Sequence, residues 1–134
     1  MSERIFLSAG DIVRIHDDMV ERYGGLRGIR DENALGSAVQ RPDDKSYYEP
    51  DASLPELAAS LAYGLAKNHA FNDANKRASL AAMSVFLNLN GFELDAEADV
   101  VIETWVALAA GRLSEAELAA WIAAHLAAFS DARE

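Results

Sequence analysis

His69-Ala70-Phe71-Asn72-Asp73-Ala74-Asn75-Lys76-Arg77 lies between two stretches whose apolar residues recur at helical spacing. Upstream, Ser53-Leu54-Pro55-Glu56 reads as a helix start, with Ser53 as N-cap and Glu56 at the third helical position. Leu57, Ala58, Leu61, Ala62 and Leu65 then mark one face of a helix reaching about Asn68. Downstream, Leu80, Met83, Phe86, Leu87 and Asn90 carry a second long helix to Gly91, where glycine suits a left-handed cap. The small residues Ala78, Ser79, Ala81, Ala82 and Ser84 allow close packing, so this second helix is expected to be the central one. The quoted stretch is then a short loop running into a helix N-terminus, where unpaired N–H groups and the helix dipole favour an anion. Its imidazole, carboxylate, amides, ammonium and guanidinium supply a proton acceptor, a metal ligand and several phosphate donors.

Working toward the N-terminus, Ser8 and Asp11 resemble a capping box, and Ile12, Ile15, Met19 and Tyr23 predict a helix from about Ala9 to Tyr23. Gly24-Gly25 stops it. Asp31 is a plausible N-cap for a shorter helix carrying Leu35, Ala38 and Val39, which Pro42 is expected to terminate. From Pro42 to Ser53 the two prolines, the acids and the pair Tyr47-Tyr48 predict a loop or small hairpin, a candidate lid or substrate-docking flap or simply a solvated connection. Toward the C-terminus, Val101, Ile102, Trp105, Val106 and Ala109 define a helix closed by Gly111. Ser114 with Glu117 then opens a last one carrying Leu118, Trp121, Ile122 and Leu126. No stretch alternates like a core strand, so the expectation is one all-α domain over residues 1–134, about six helices around a central helix. A single small β-hairpin is allowed for, near Tyr47 or around Phe92 to Leu94.

A chain of 134 residues fits one domain burying roughly 70% of its unfolded surface. The absence of cysteine removes disulfides, thiolate metal sites and a catalytic thiol. No apolar run approaches a membrane span, and Met1-Ser2-Glu3-Arg4 lacks the features of a signal peptide, so a soluble, cytoplasmic protein without membrane partners is expected. The formal net charge of −10 disfavours direct nucleic-acid binding. The one adjacent basic pair is Lys76-Arg77, which concentrates positive charge where a small anion could be held.

The stretch from His69 to Arg77 resembles the signature of the Fic/Doc superfamily. Most Fic proteins carry Gly-Asn-Gly-Arg and a further arginine later in the motif. Here Ala74 and Lys76 replace the two glycines and Leu80 stands at the later arginine, a pattern that is similar to the Doc (death-on-curing) branch. Arg22-Tyr23-Gly24-Gly25-Leu26 and Leu89-Asn90-Gly91 extend the likeness over nearly the whole chain. The resemblance implies the toxin of a toxin–antitoxin pair, a protein kinase moving the γ-phosphoryl of ATP onto a threonine of elongation factor Tu and arresting translation. It also implies a Phd-like antitoxin that inhibits in trans. The internal Ser/Thr-x-x-x-Glu-Gly/Asn helix that restrains many Fic proteins has no full match, the nearest attempt being Ser130 to Glu134.

Under that resemblance His69 is the candidate general base, since histidine's unperturbed pKa of about 6.5 leaves neutral imidazole at cellular pH. By itself a histidine at a helix end is more often a cap. Asp73 is the candidate Mg²⁺ ligand, the metal preferring one or two carboxylates with phosphate oxygens and waters; its other role would be N-cap of the following helix. Asn75 and the backbone of Ala74 to Arg77 would cradle phosphate, with Arg77 binding it bidentately. Lys76 fills room that AMP-transferring relatives leave open, which implies a reversed ATP presenting its γ-phosphoryl. Phe71 is expected to anchor the loop in the core, and His16 and His125 default to structural or exposed positions. The competing readings are an AMP transferase on the same fold and a catalytically idle antitoxin-binding domain.

Overall fold

The computed structural model describes residues 4–129, so the opening three residues and the Ser130 to Glu134 stretch lie outside it. Within those bounds the chain forms α1 (Ala9–Tyr23), α2 (Glu32–Tyr48), α3 (Leu54–Asn68), α4 (Asn75–Leu89), β1 (Phe92–Leu94), α5 (Ala98–Ala109), α6 (Glu115–Ala124) and β2 (Leu126–Ala128). The all-α expectation holds, with six helices among the described residues.

Local chemistry sets most helix starts. Ser8 with Asp11, Ser53 with Glu56 and Ser114 with Glu117 each form a complete capping box, and Asp31 accepts from the Ala34 N–H. Gly24 ends α1 at φ 88° and ψ 175°, a conformation open to glycine alone.

The central helix is α3, not α4 as its run of small residues had suggested. Leu54, Leu57, Leu61 and Leu65 are buried together with Ala58, Ala59, Ala62, Gly64 and Ala66, so the helix is enclosed on every side. A helix that is apolar all round has no face to give to water. α4 buries Ala78, Ala82, Met83, Phe86 and Leu87 but leaves Leu89 exposed. α2, α4 and α6 pack around α3, and α1 covers the outside of α4.

α2 runs straight through Pro42, contrary to the expected stop and loop. Pro42 lacks an N–H and so leaves the Ala38 carbonyl without its helical donor. Packing outweighs that loss: Leu35, Ala38 and Pro42 are buried on one face of α2. Beside Pro42, Arg41 donates to the Ser60 carbonyl at 3.1 Å and pairs with Glu115, tying α2 to α3 and α6. A Cβ on Gly64 would come within 2.6 Å of Arg41 Cδ, so that close approach requires glycine. Tyr47 and Tyr48 accordingly end a helix, exposed, rather than lying on a flap.

Two further differences are long-range. β1 forms where a strand was allowed for, but it pairs antiparallel with β2 (Phe92 with Ala128, Leu94 with Leu126) instead of closing a hairpin. α6 stops at Ala124, with His125 as C-cap, and Leu126 joins β2 rather than the helical stripe. Polar groups also tie the core: Ser79 donates to the Ala62 carbonyl at 2.7 Å and accepts from Trp105 Nε1 at 3.1 Å, linking α4, α3 and α5. No described helix is long and apolar enough to cross a membrane.

Candidate functional site

The loop from His69 to Ala74 joins the two most buried helices, and its shape follows from two residues on the left-handed side of backbone space. His69 caps α3 at φ 51°, and Ala74 precedes α4 at φ 63°. Between them Ala70 and Phe71 are buried, anchoring the loop as expected for Phe71. Asn75 closes it on itself. Its Oδ1 accepts from the Phe71 N–H at 3.0 Å and its Nδ2 donates to the Phe71 carbonyl at 3.0 Å. The Asn75 side chain is thus engaged in holding the loop, and what it offers an anion is its backbone N–H.

The N-cap of α4 is Ala74, which has no side-chain oxygen to give, so the first-turn N–H groups stay available to a ligand. Asp73 is not the cap. Its Oδ1 accepts from the Ala74 N–H at 2.8 Å and its Oδ2 from the Leu26 N–H at 3.1 Å. Those two N–H groups, Ala74 first, hold the Asp73 carboxyl below the usual carboxylate range; the nearby Arg77 charge assists and partial desolvation opposes. Each carboxylate oxygen retains a lone pair for a cation.

Arg77 is half-buried, and its Nη1 is buried without a hydrogen-bond partner among the described residues. A buried guanidinium nitrogen with nothing to donate to is costly unless a ligand supplies the acceptor. Lys76 is exposed. An open hollow of about 390 Å³ is lined by Asn72, Asp73, Ala74, Asn75, Lys76 and Arg77. The structure therefore brings together every predicted site residue but one. His69 is exposed at the C-cap of α3, at the other end of the loop, and does not line that hollow.

For Mg²⁺, no group of three or more His, Asp or Glu able to hold an ion occurs among the described residues. Asp73 with its free lone pairs fits a metal that arrives on phosphate oxygens and keeps its waters, and does not make an all-protein cage.

Two contributors escaped the sequence reading. His16 of α1 is fully buried, stacks on Phe71 with ring centres 3.8 Å apart, and its Nε2 lies 2.7 Å from the Asp73 carbonyl oxygen. The signal was its place on the stripe Ile12, His16, Val20, where α1 buries its side chains. The segment after α1 also lies along the motif. Asn72 N–H donates to the Gly28 carbonyl, Arg30 and Asp31 N–H to the Ala70 carbonyl, and Ile29 bridges Phe71. This segment, not the Tyr47 region, borders the site.

A model of the Fic/DOC family matches residues 6–87, which takes in α1 to α3, the whole site loop and all but the last two residues of α4. The chain is 31% identical over 113 residues to a protein of Escherichia phage P1 named "Protein kinase doc", covering 84% of this chain and 89% of that one. It is 44% identical over 80 residues to "Toxin Doc" of Mycolicibacterium smegmatis, 58% of this chain and 61% of that one. By its sequence, its fold and the residues gathered at the start of α4, this chain belongs to the Fic/DOC family, on its Doc branch.

Proposed function

We propose that the chain is a toxin of a toxin–antitoxin pair that acts as an ATP-dependent protein kinase, phosphorylating a threonine of elongation factor Tu and so arresting translation in the cytoplasm. The observation that carries this reading is the uncapped start of α4, where first-turn N–H groups meet Arg77 Nη1, buried with no partner among the described residues, beside the twice-anchored Asp73 carboxylate. Uncapped N–H groups and a guanidinium suit phosphate. The relatives named as a protein kinase and as a toxin support the reaction and the biological role.

In this reading Asn75, Lys76 and Arg77 hold the phosphates through their N–H groups and cationic side chains. Asp73 would hold Mg²⁺, which would supply charge neutralisation on the phosphate oxygens. His69, exposed at the other end of the loop and outside the hollow, faces the side from which the protein substrate enters and accepts the proton of its threonine hydroxyl, whose oxygen forms a bond to the γ-phosphorus while the bond to the β-bridging oxygen breaks and ADP leaves. Phosphoryl transfer depends chiefly on in-line placement and charge stabilisation, so exposed Lys76, standing where AMP-transferring relatives have glycine, is enough to favour a reversed nucleotide. An antitoxin bound in trans would supply the inhibition.

The test is to incubate the protein with elongation factor Tu and ATP labelled separately at the α and γ positions. Label reaching the target from the γ position alone is expected. Label from the α position makes the protein an AMP transferase, and none from either, with antitoxin binding intact, makes it an idle binding domain.

A further inference from the structure

We propose that His16, which is outside the motif and outside the hollow, is a positioning residue for the phosphate site: its Nε2–H sets the plane of the peptide between Asp73 and Ala74. The proposal rests on the phosphate-binding reading of that site. His16 is fully buried and stacked on Phe71, where a leucine or valine would carry no desolvation penalty. A carbonyl only accepts, so the 2.7 Å contact with the Asp73 oxygen requires the proton on Nε2. Nδ1 is then left with no hydrogen-bond partner among the described residues, the nearest carboxylate oxygen, Asp17 Oδ1, being 3.9 Å away. Retaining a buried ring that satisfies one nitrogen and strands the other points to a use for the satisfied one.

That use follows from peptide geometry. In a planar trans peptide the C=O and N–H point in opposite directions. His16 grips the C=O of the peptide joining Asp73 to Ala74, and the N–H at the far side of the same plane meets Asp73 Oδ1 at 2.8 Å. Fixing one end fixes the other. The peptide leads into Ala74 at φ 63°, a conformation disfavoured for a residue with a Cβ and therefore held by its surroundings. The ring is stacked nearly parallel to Phe71, at 8°, and the Phe71 backbone is clamped by Asn75 at both its N–H and its carbonyl. One buried donor on α1 thereby sets the direction of the Asp73 carboxylate and of the first N–H groups of α4.

The test compares wild type, His16→Gln and His16→Met in the full chain labelled with ¹⁵N. Gln can place an N–H near the Nε2 position; Met fills space without a donor. Melting temperature, the amide signals of Ala74 and Asn75, and affinity for pyrophosphate with Mg²⁺ are measured for each. His16→Met is expected to bind pyrophosphate about tenfold more weakly, the size of one lost hydrogen bond, with the Ala74 signal displaced. His16→Gln is expected to stay within about threefold of wild type on the same principle. A folded His16→Met with wild-type affinity and an unmoved Ala74 signal overturns the proposal. If that variant does not fold, the ring nitrogens of wild-type His16 decide it: a proton on Nε2 supports the proposal and one on Nδ1 alone refutes it. Wild type that ignores pyrophosphate refutes the phosphate-site reading instead, and the Ala74 signal and the tautomer still judge His16.

Discussion

Replacing Gly25 by alanine should injure the phosphate site from outside the motif, and Gly24→Ala supplies its control. Both glycines have positive φ, 88° at Gly24 and 117° at Gly25, so either substitution carries backbone strain of about 1–3 kcal/mol. Their surroundings differ. A Cβ on Gly24 meets nothing within 4 Å, whereas one on Gly25 would lie 2.9 Å from Asp73 Oδ2 and 3.3 Å from Arg77 Nη2. Relief requires either that Asp73 turn, breaking its bonds to the Ala74 and Leu26 N–H groups, or that the loop lift and give up the Leu26 bond. Each route disturbs the proposed metal ligand.

For a domain of 134 residues, strain of about 1–3 kcal/mol lowers the melting temperature by roughly 3–15 °C, which is the whole effect expected of Gly24→Ala. Gly25→Ala should melt lower than Gly24→Ala and bind Mg²⁺–pyrophosphate about tenfold more weakly, as for one lost charge-assisted bond, while Gly24→Ala binds like wild type. Calorimetry of unfolding and of binding reads both quantities. If the two variants match in affinity, the loop after α1 does not govern Asp73, and the reasoning fails.

His69→Ala should lower transfer to protein by about 10²–10⁴-fold, the usual share of a general base, and, since His69 is exposed, leave the far-UV spectrum unchanged. Ser79→Ala should destabilise by about 1–3 kcal/mol because it strands the buried Trp105 Nε1–H, seen as a lower urea midpoint, and its cost should shrink in a Trp105→Phe background, which has no indole N–H to strand. Acid should destabilise through four carboxyls held low, Asp11 and Glu56 and Glu117 by capping bonds to Ser8, Ser53 and Ser114, and Asp73 by its N–H donors. A depressed folded pKa stabilises above the unfolded value and loses that stabilisation as pH falls through the folded value. The urea midpoint should therefore hold near pH 6 and decline below the ordinary values of 4.5 and 3.8. Asp73→Asn should abolish the Mg²⁺ dependence of pyrophosphate binding without abolishing binding in the absence of metal; a retained metal response would remove Asp73 as ligand.

What the sequence displayed was whatever a few neighbouring residues decide. Ser8 with Asp11, Ser53 with Glu56 and Ser114 with Glu117 specify their helix starts from within one turn, and each formed its box. The dense motif pointed to the candidate site because its chemistry is consecutive. What stayed hidden depends on residues far apart. Pro42 looked like a stop because its push on the preceding residue's backbone is local, while the packing of α2 against α3 that outweighs it is not. α3 was hard to recognise as central because apolar periodicity finds one face and does not register that the alanines opposite are also covered. β1 gave no sign that its partner was β2. His16 read as an ordinary helical histidine since nothing near it in sequence shows that its ring reaches Asp73.

The charges around the start of α4 argue for a particular form of ligand. Lys76 and Arg77 contribute two positive charges and Asp73 one negative charge to the same hollow. A bare phosphate would meet that carboxylate as a repulsive neighbour, at a distance set by two backbone bonds that prevent it from swinging away. The same two bonds lower its pKa, so it stays charged throughout the physiological range and is not relieved by picking up a proton. A divalent cation between carboxylate and phosphate reverses the sign of that interaction, turning the least welcome group in the hollow into an anchor. A site selected to hold free phosphate would place an amide or hydroxyl where Asp73 stands. A fixed carboxylate beside an uncapped helix and a guanidinium nitrogen with no partner among the described residues instead suits phosphate that arrives already carrying its metal, as it does in a nucleoside triphosphate.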